Sequence, residues 1–235
     1  MTGAAGGIGS ATVRTLAAQG YRVIGFDVRD AAAAEDGVHV VGDVCEREEL
    51  QGAVDLALER WGRLDAVVAA AAVIAGGQPL WETPDDQLQE LWDVDVRGVW
   101  NTAAVAVPAM LAGPAPSGCR FVAVASAAAS YGLFHLAGYN AAKHAVVGLV
   151  RGLAADLVST GVTAVAVSPG STNTLMLEAT AELYGLSDPI AFASNQLLRR
   201  VLDPDEVAAT IAFCCSVEGA ALNGSVVNAD GGFRP

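Results

Sequence analysis

Short apolar runs closed by a small or acidic residue recur along the chain, with stretches of helical periodicity between them. Arg22 to Phe26 (RVIGF) reads as a buried strand ended by Asp27, and Val38 to Gly42 (VHVVG) as a second, closed by Asp43. Leu64 to Ala70, Phe121 to Ser126, Thr163 to Val167 (TAVAV) and Ser225 to Asn228 read as four more. Helical patterns fill the intervals. Ser10 to Gln19 is one, and Glu46 to Trp61 is another, with Leu50, Val54, Leu58 and Trp61 at helical spacing. Pro84 to Met110 predicts one long helix running past Asp95 and Trp100. A further long helix carries Tyr139 and Lys143, and Pro204 marks the start of one over Asp205 to Ser216. Strands alternating with helices predict an α/β fold: a doubly wound parallel sheet flanked by helices. No repeat, low-complexity linker or boundary divides it, so residues 1–235 are expected to form a single domain.

Composition narrows the function. Apolar residues make up 53%, mostly Ala and Val with few aromatics, which suits helices packed closely on a buried parallel sheet. A net charge of −13 with scattered basic residues argues against nucleic acid and against an anionic membrane surface. No run free of Gly, Pro and charge is long enough to span a bilayer. Cys45, Cys119, Cys214 and Cys215 lack metal-ligand spacing, so no metal is expected, and with no signal peptide the expected location is the cytoplasm.

Candidate chemistry begins at the first residues. Thr2-Gly3-Ala4-Ala5-Gly6-Gly7-Ile8-Gly9 leads directly into a helix. Such glycines permit a tight turn and close approach of backbone to phosphate, and the helix N-terminus offers free N–H groups to a pyrophosphate. A glycine cluster alone does not specify a nucleotide, but Asp27 ends the next strand 24 positions after Gly3. There a carboxylate can accept from both hydroxyls of an adenosine ribose and would repel a 2′-phosphate. The plainer reading of Asp27 is a loop acid or a cap.

Tyr139 and Lys143 stand four apart on one helix face, so the ammonium can lie beside the phenol and favour its ionised form. A phenol drawn down from about 10 toward the working pH can exchange a proton with an alcohol or carbonyl oxygen. Ser126, where a strand gives way to loop, could bond the same oxygen. The alternative is a core tyrosine with a solvated lysine.

Taken together, these residues resemble the short-chain dehydrogenase/reductase family over the whole chain. The resemblance is carried by Thr2-Gly3-xxx-Gly7-Ile8-Gly9, Asp27, Asp43-Val44 and Ser126 thirteen residues before Tyr139. It continues through Tyr139-x-x-x-Lys143, Ser168-Pro169-Gly170 and Asp230-Gly231-Gly232. It implies a Rossmann-type fold and NAD(P)-linked interconversion of a secondary alcohol and a ketone. Tyr139 would be the proton donor or acceptor, Lys143 would tune it and hold the nicotinamide ribose, and Ser126 would orient the reacting oxygen. Pro169-Gly170 would sit against the nicotinamide, Thr172 or Thr174 would bond its carboxamide, and Ala70 would lie near the adenosine. The stretches VAVASAAASYG, YNAAKHAVVGLVRGLAADL and SPGST are similar to a branch associated with the redox carrier mycofactocin, which implies a retained nicotinamide reoxidised by another carrier. NADP-using relatives commonly carry a basic residue where this chain has Gly6. With Asp27 present and only Arg29 as a nearby cation, NAD is expected over NADP. Homotetramers, or homodimers, are implied through the helices at 84–110 and 139–160.

Three positions depart from the family pattern. Members begin with an apolar strand before the Thr-Gly turn, where this chain has only Met1, so the usual first strand is expected to be missing and a natural start further upstream is the preferred explanation. The Asn-Asn-Ala-Gly turn is replaced by Ala69-Ala70-Ala71-Ala72, removing side chains that would brace it. Asp95 aligns with a helix asparagine; its carboxylate beside Lys143 would partly offset the lysine's effect on Tyr139 and raise the pH optimum. These departures leave open a non-catalytic NAD-binding or interaction protein, and an isomerase or dehydratase on the same fold.

Residues 171–200 carry Leu175, Met176, Leu177, Leu183, Tyr184, Leu186 and Phe192. In the family this insertion covers the substrate, and its apolar character suggests a hydrophobic small molecule; an ordinary amphipathic helix pair is the alternative. His135 either lines the substrate pocket or packs, His39 is core or cofactor edge, and His144 packs on its helix. Trp81, Trp92 and Trp100 are expected to serve packing or a subunit contact.

Overall fold

The computed structural model describes residues 1–34 and 37–235. Among these residues six strands form: β1 (Ile24–Asp27), β2 (Val38–Val41), β3 (Ala66–Ala69), β4 (Arg120–Val124), β5 (Thr163–Pro169) and β6 (Val226–Ala229). All pair in parallel, β1 with β2 and then β3-β4-β5-β6 in order. Helices cover both faces, as parallel strands with buried faces require. The α/β, Rossmann-type doubly wound architecture is therefore present.

Met1 and Thr2 stand between the two groups of strands. Thr2 N–H donates to Val68 O at 2.9 Å, Phe26 N–H to Met1 O at 2.8 Å, and the Met1 amine to Ile24 O at 3.0 Å. These bonds join the sheet at the end where the strands' carboxyl termini lie. Behind them a cleft of about 500 Å³ separates Val23 and Ile24 from Leu64–Val68.

The strand pattern sorts the core into two layers. On one face Val122, Val124, Val165 and Val167 pack with Leu16 of α1 (Gly7–Ala18) and with Val207 and Ile211 of α7 (Pro204–Cys215). On the other, Phe121, Ala123, Ala164 and Ala166 meet α2 (Arg47–Trp61), α4 (Gly98–Ala112) and α5 (Ala137–Asp156) through Leu50, Val105, Met110, Val146 and Val150. Each buried valine or leucine contributes about 1.5–3 kcal/mol of transfer free energy. The alanines on this second face let α5 approach the sheet closely. Arg120 is 2% exposed and donates to the carbonyls of Ser117, Cys119, Ser216 and Val217, tying β4 to the end of α7, where a cation also complements the helix dipole.

The long helix expected over 84–110 is interrupted. An α-helical segment, α3 (Asp85–Leu91), passes into a π-helical stretch at Trp92–Arg97 and then into α4. Trp81, Trp92 and Trp100 are exposed at 81%, 39% and 57%, so within this chain they do not serve as core packing. The 171–200 region forms α6 (Leu175–Leu183) and a 3-10 segment at Pro189–Asn195, rather than a helix pair.

Candidate active site

The carboxyl ends of the strands open into a cleft of about 830 Å³. Ligands in open α/β sheets bind at this end. Gly3, Gly7, Ile8, Gly9, Asp27, Asp43, Val44 and Ala70 line one part of it; Ser126, Tyr139, Lys143, Pro169, Gly170, Thr172 and Thr174 line the rest. Thr2 and Asp95 lie behind this wall.

The glycine turn is set by close backbone crossings. A Cβ on Gly9 would lie 1.9 Å from Gly3 O, and one on Gly3, whose φ is +68°, would lie 2.7 Å from the Ala70 backbone. A side chain at either place would force the turn apart; with glycine there, the N-terminus of α1 lines the cleft at Gly7, Ile8 and Gly9, so the residues present fit a dinucleotide. Thr2 Oγ1 accepts from Ala70 N–H at 3.1 Å and Ala71 N–H at 3.3 Å. The alanine turn is thus braced after all, from the first strand position instead of from its own side chains.

Asp27 is 8% exposed; its Oδ2 accepts from Ala5 N–H at 2.9 Å and its Oδ1 from Arg29 N–H at 3.0 Å. The Arg29 guanidinium stands 3.5 Å from Oδ1, so carboxylate and cation share this corner of the cleft. Asp43 Oδ1 accepts from Cys45 N–H at 2.8 Å. Asn101, which sequence reasoning passed over, donates Nδ2–H to Val44 O at 3.0 Å and Cys45 O at 3.2 Å while Arg47 bonds its Oδ1. It fixes the Asp43-Val44 turn. A lone asparagine in the apolar run of α4 was the available signal.

Ser126 caps the turn after β4, its Oγ accepting from Ala128 N–H at 3.1 Å. Tyr139 and Lys143 project from α5, with the ammonium 5.5 Å from the phenol ring centre. Burial raises the Tyr139 phenol above its ordinary value; Lys143 opposes this, Asp95 adds to it, and a Ser126 hydrogen bond again opposes it. The net direction is upward, against the lowering that the lysine alone predicts. A buried site with a carboxylate behind the ammonium costs the phenolate more than the ammonium returns.

That carboxylate belongs to Asp95, which is fully buried on the π-helical stretch. Its Oδ2 lies 3.1 Å from Lys143 Nζ and its Oδ1 accepts from Val73 N–H at 2.8 Å. Burial pushes the Asp95 carboxyl up, with Lys143 and Val73 pulling against it. Burial would lower Lys143, but Asp95 and Tyr139 outweigh it and the ammonium is favoured.

Beyond Tyr139 the cleft is walled by Val73, Ile74, Leu133, Phe134, Leu136, Leu177, Tyr184, Phe192 and Phe233. His135 is not among these residues; at φ +53° it stacks on Phe134 instead. His39 bonds Arg29 O at 2.9 Å and His144 bonds Asn140 O at 2.8 Å on its own helix. Thr172 and Thr174 spend their hydroxyl hydrogens on Gly170 O and Thr172 O, and Thr174 also caps α6. The Thr174 methyl lies against Gly7, where a Cβ would approach it to 2.5 Å.

The family model described as enoyl-(acyl carrier protein) reductase, of the short-chain alcohol dehydrogenase type, matches residues 3–234. Among characterised relatives, an A-factor type gamma-butyrolactone 1′-reductase of Streptomyces virginiae is 32% identical, covering 99% of this chain and 93% of that protein. A cis-4-hydroxycyclohexanecarboxylate dehydrogenase of Sinomonas cyclohexanicum is also 32% identical, over 99% of this chain and 94% of its own. A 3-ketoacyl-(acyl-carrier-protein) reductase from Brucella melitensis, solved in complex with NADH, superposes with a TM-score of 0.88 at 27% identity, covering 98% of this chain and 95% of that one.

Proposed function

The chain belongs to the short-chain dehydrogenase/reductase family, oxidoreductases acting on CH–OH groups of small molecules, and from that premise we propose that it interconverts a hydrophobic secondary alcohol and its ketone with NAD. The observation that carries this reading is the convergence of the glycine turn, Asp27 and the Ser126–Tyr139–Lys143 set on a single cleft.

Gly3, Gly7, Ile8 and Gly9 would hold the pyrophosphate, Asp27 the adenosine ribose, Asp43, Val44 and Ala70 the adenine side, and Lys143 the nicotinamide ribose. Pro169 and Gly170 would face the nicotinamide, with Thr172 or Thr174 at its carboxamide. When bound, the nicotinamide supplies the hydride acceptor or donor. Ser126 orients the substrate oxygen, and Tyr139 removes its proton in oxidation or returns it in reduction. Lys143 keeps a positive charge beside the phenol, and Asp95 keeps Lys143 protonated. NAD is favoured because Asp27 would meet a 2′-phosphate with like charge.

The apolar walls contributed by Leu133, Phe134, Leu177, Tyr184 and Phe192 support a neutral hydrophobic substrate, with 171–200 as its cover. Retention of NAD between turnovers, with reoxidation by a second carrier of the mycofactocin kind, is proposed on the resemblance of VAVASAAASYG, YNAAKHAVVGLVRGLAADL and SPGST alone. A cytoplasmic homotetramer built on α4 and α5 completes the proposal.

The test is a panel of secondary alcohols with NAD, and again with an artificial electron acceptor. Turnover that falls by about 10²–10⁴-fold in Tyr139→Phe, with NAD binding intact, supports the enzyme. NAD binding without turnover on any alcohol or ketone would favour a non-catalytic NAD-binding protein, and conversion without net NADH an isomerase or dehydratase.

A further inference from the structure

Gln196 is 1% exposed, and its two side-chain polar atoms have different fates. Nε2–H donates to Arg200 O, while Oε1 has no hydrogen-bond partner. A buried carbonyl left unpaired is destabilising, a cost that leucine or methionine at this place would avoid. The amide oxygen stands directly behind Gly170: a Cβ there would lie 2.3 Å from Gln196 Oε1 and 2.6 Å from Asp230 O. From the other direction Gly170 N–H is held by Ala229 O at 3.2 Å.

The segment bearing Gln196 is stitched to both neighbours of this turn. Leu197 N–H and Leu198 N–H donate to Gly232 O and Gly231 O, and Leu202 N–H donates to Ser171 O at 2.9 Å. Gly170 therefore has no room to retreat from the cleft while Gln196 is in place.

We infer that Gln196 is a positioning residue: it is the backstop that sets how far the Pro169–Gly170 turn reaches toward the nicotinamide. This rests on the reading of the cleft as a nicotinamide dinucleotide site. Gln196 does not line the cleft and touches no substrate. Its effect is confined to the nicotinamide end, because the glycine turn, Asp27 and Asp43 belong to other elements.

The experiment compares binding of NAD with binding of ADP-ribose, which keeps the adenosine and pyrophosphate but lacks the nicotinamide. In Gln196→Ala the dissociation constant for NAD is expected to rise about tenfold, with that for ADP-ribose unchanged and kcat falling at saturating NAD. Gln196→Met keeps most of the bulk but loses the Arg200 bond; it is expected to show a smaller shift in the same direction and serves if the alanine variant fails to fold. Equal weakening of both ligands, which a general structural role would produce, overturns the inference, as does no change in either. A wild-type chain that binds neither ligand overturns the dinucleotide reading itself, and this inference with it.

Discussion

Lys143 Nζ and Asp95 Oδ2 meet at 3.1 Å with both side chains sealed from solvent, 3% and 0% exposed. Few places in a protein hold an ion pair so dry, and the pair survives because each member answers the other's charge. Replacing Asp95 by Leu leaves the ammonium buried without a counter-charge and Val73 N–H without an acceptor, and should cost about 3–5 kcal/mol in urea unfolding. Adding Lys143→Met should return much of that loss. A double variant no more stable than Asp95→Leu alone would argue that the two groups are not energetically coupled.

The same carboxylate bears on the pH dependence of turnover. In the proposed reaction alcohol oxidation uses the Tyr139 phenolate, so the rate should climb as pH rises through the phenol's elevated pKa. Asp95→Asn removes a charge that raises that pKa, and the climb should move to lower pH. An unchanged profile would show that Asp95 does not reach the phenol electrostatically.

Cofactor choice should turn on Asp27. Asp27→Ser removes the carboxylate and frees Arg29, 3.5 Å away, to meet a 2′-phosphate. The ratio of kcat/KM for NAD to that for NADP should fall by about tenfold or more, each factor of ten being about 1.4 kcal/mol. A ratio that stays put would place discrimination elsewhere in the cleft.

Thr2 provides a stability test of the alanine turn. Thr2→Val strands the Ala70 and Ala71 N–H groups and should destabilise the fold by about 1–3 kcal/mol, whereas Thr2→Ser should be close to neutral. A loss in Thr2→Ser with none in Thr2→Val would point to the methyl, not the hydroxyl, as what matters.

Acid stability should depend partly on Glu206. Arg200 beside it and the Asp203 N–H hold its carboxyl down at about 2, against an ordinary 4.5. Because the folded value is the lower one, its stabilisation is present above pH 4.5 and is lost as pH falls toward 2. Thermal melts of Glu206→Gln should fall less steeply than wild type across that window, modestly so because the pair is exposed.

Much of this was readable in the sequence, for identifiable reasons. Strands β4 and β5 show as short apolar runs because both faces are buried, and Tyr139 and Lys143 pair because helix geometry fixes what stands four residues on. The π-helical stretch at Trp92–Arg97 was not readable: an i to i+5 turn differs from an α turn by one residue, too little to disturb an apolar pattern. The brace from Thr2 to Ala70 and Ala71 joins positions 68 and 69 residues apart, which no local pattern reveals. Of the two roles expected for the tryptophans, packing within the chain failed because that expectation leans on aromatic residues being ordinarily buried. The upward direction at Tyr139 depends on how much burial outweighs one cation, a balance set by the packed interior and not by spacing.

Thr172 and Leu202 pair as a bridge just beyond the end of β5, so the segment between them departs and returns at nearly one point. A loop whose ends are clasped in this way can open without prising the strands apart, since closure has already been secured at its base. In hydrogen exchange, the amides of α6 and of Pro189–Asn195 should release together and early, while those of β4 and β5 hold. The same clasp makes the segment a natural cassette: in the proposed function, exchanging it for that of a relative would recast which molecules are admitted while leaving Tyr139 and Lys143 on α5 where they stand.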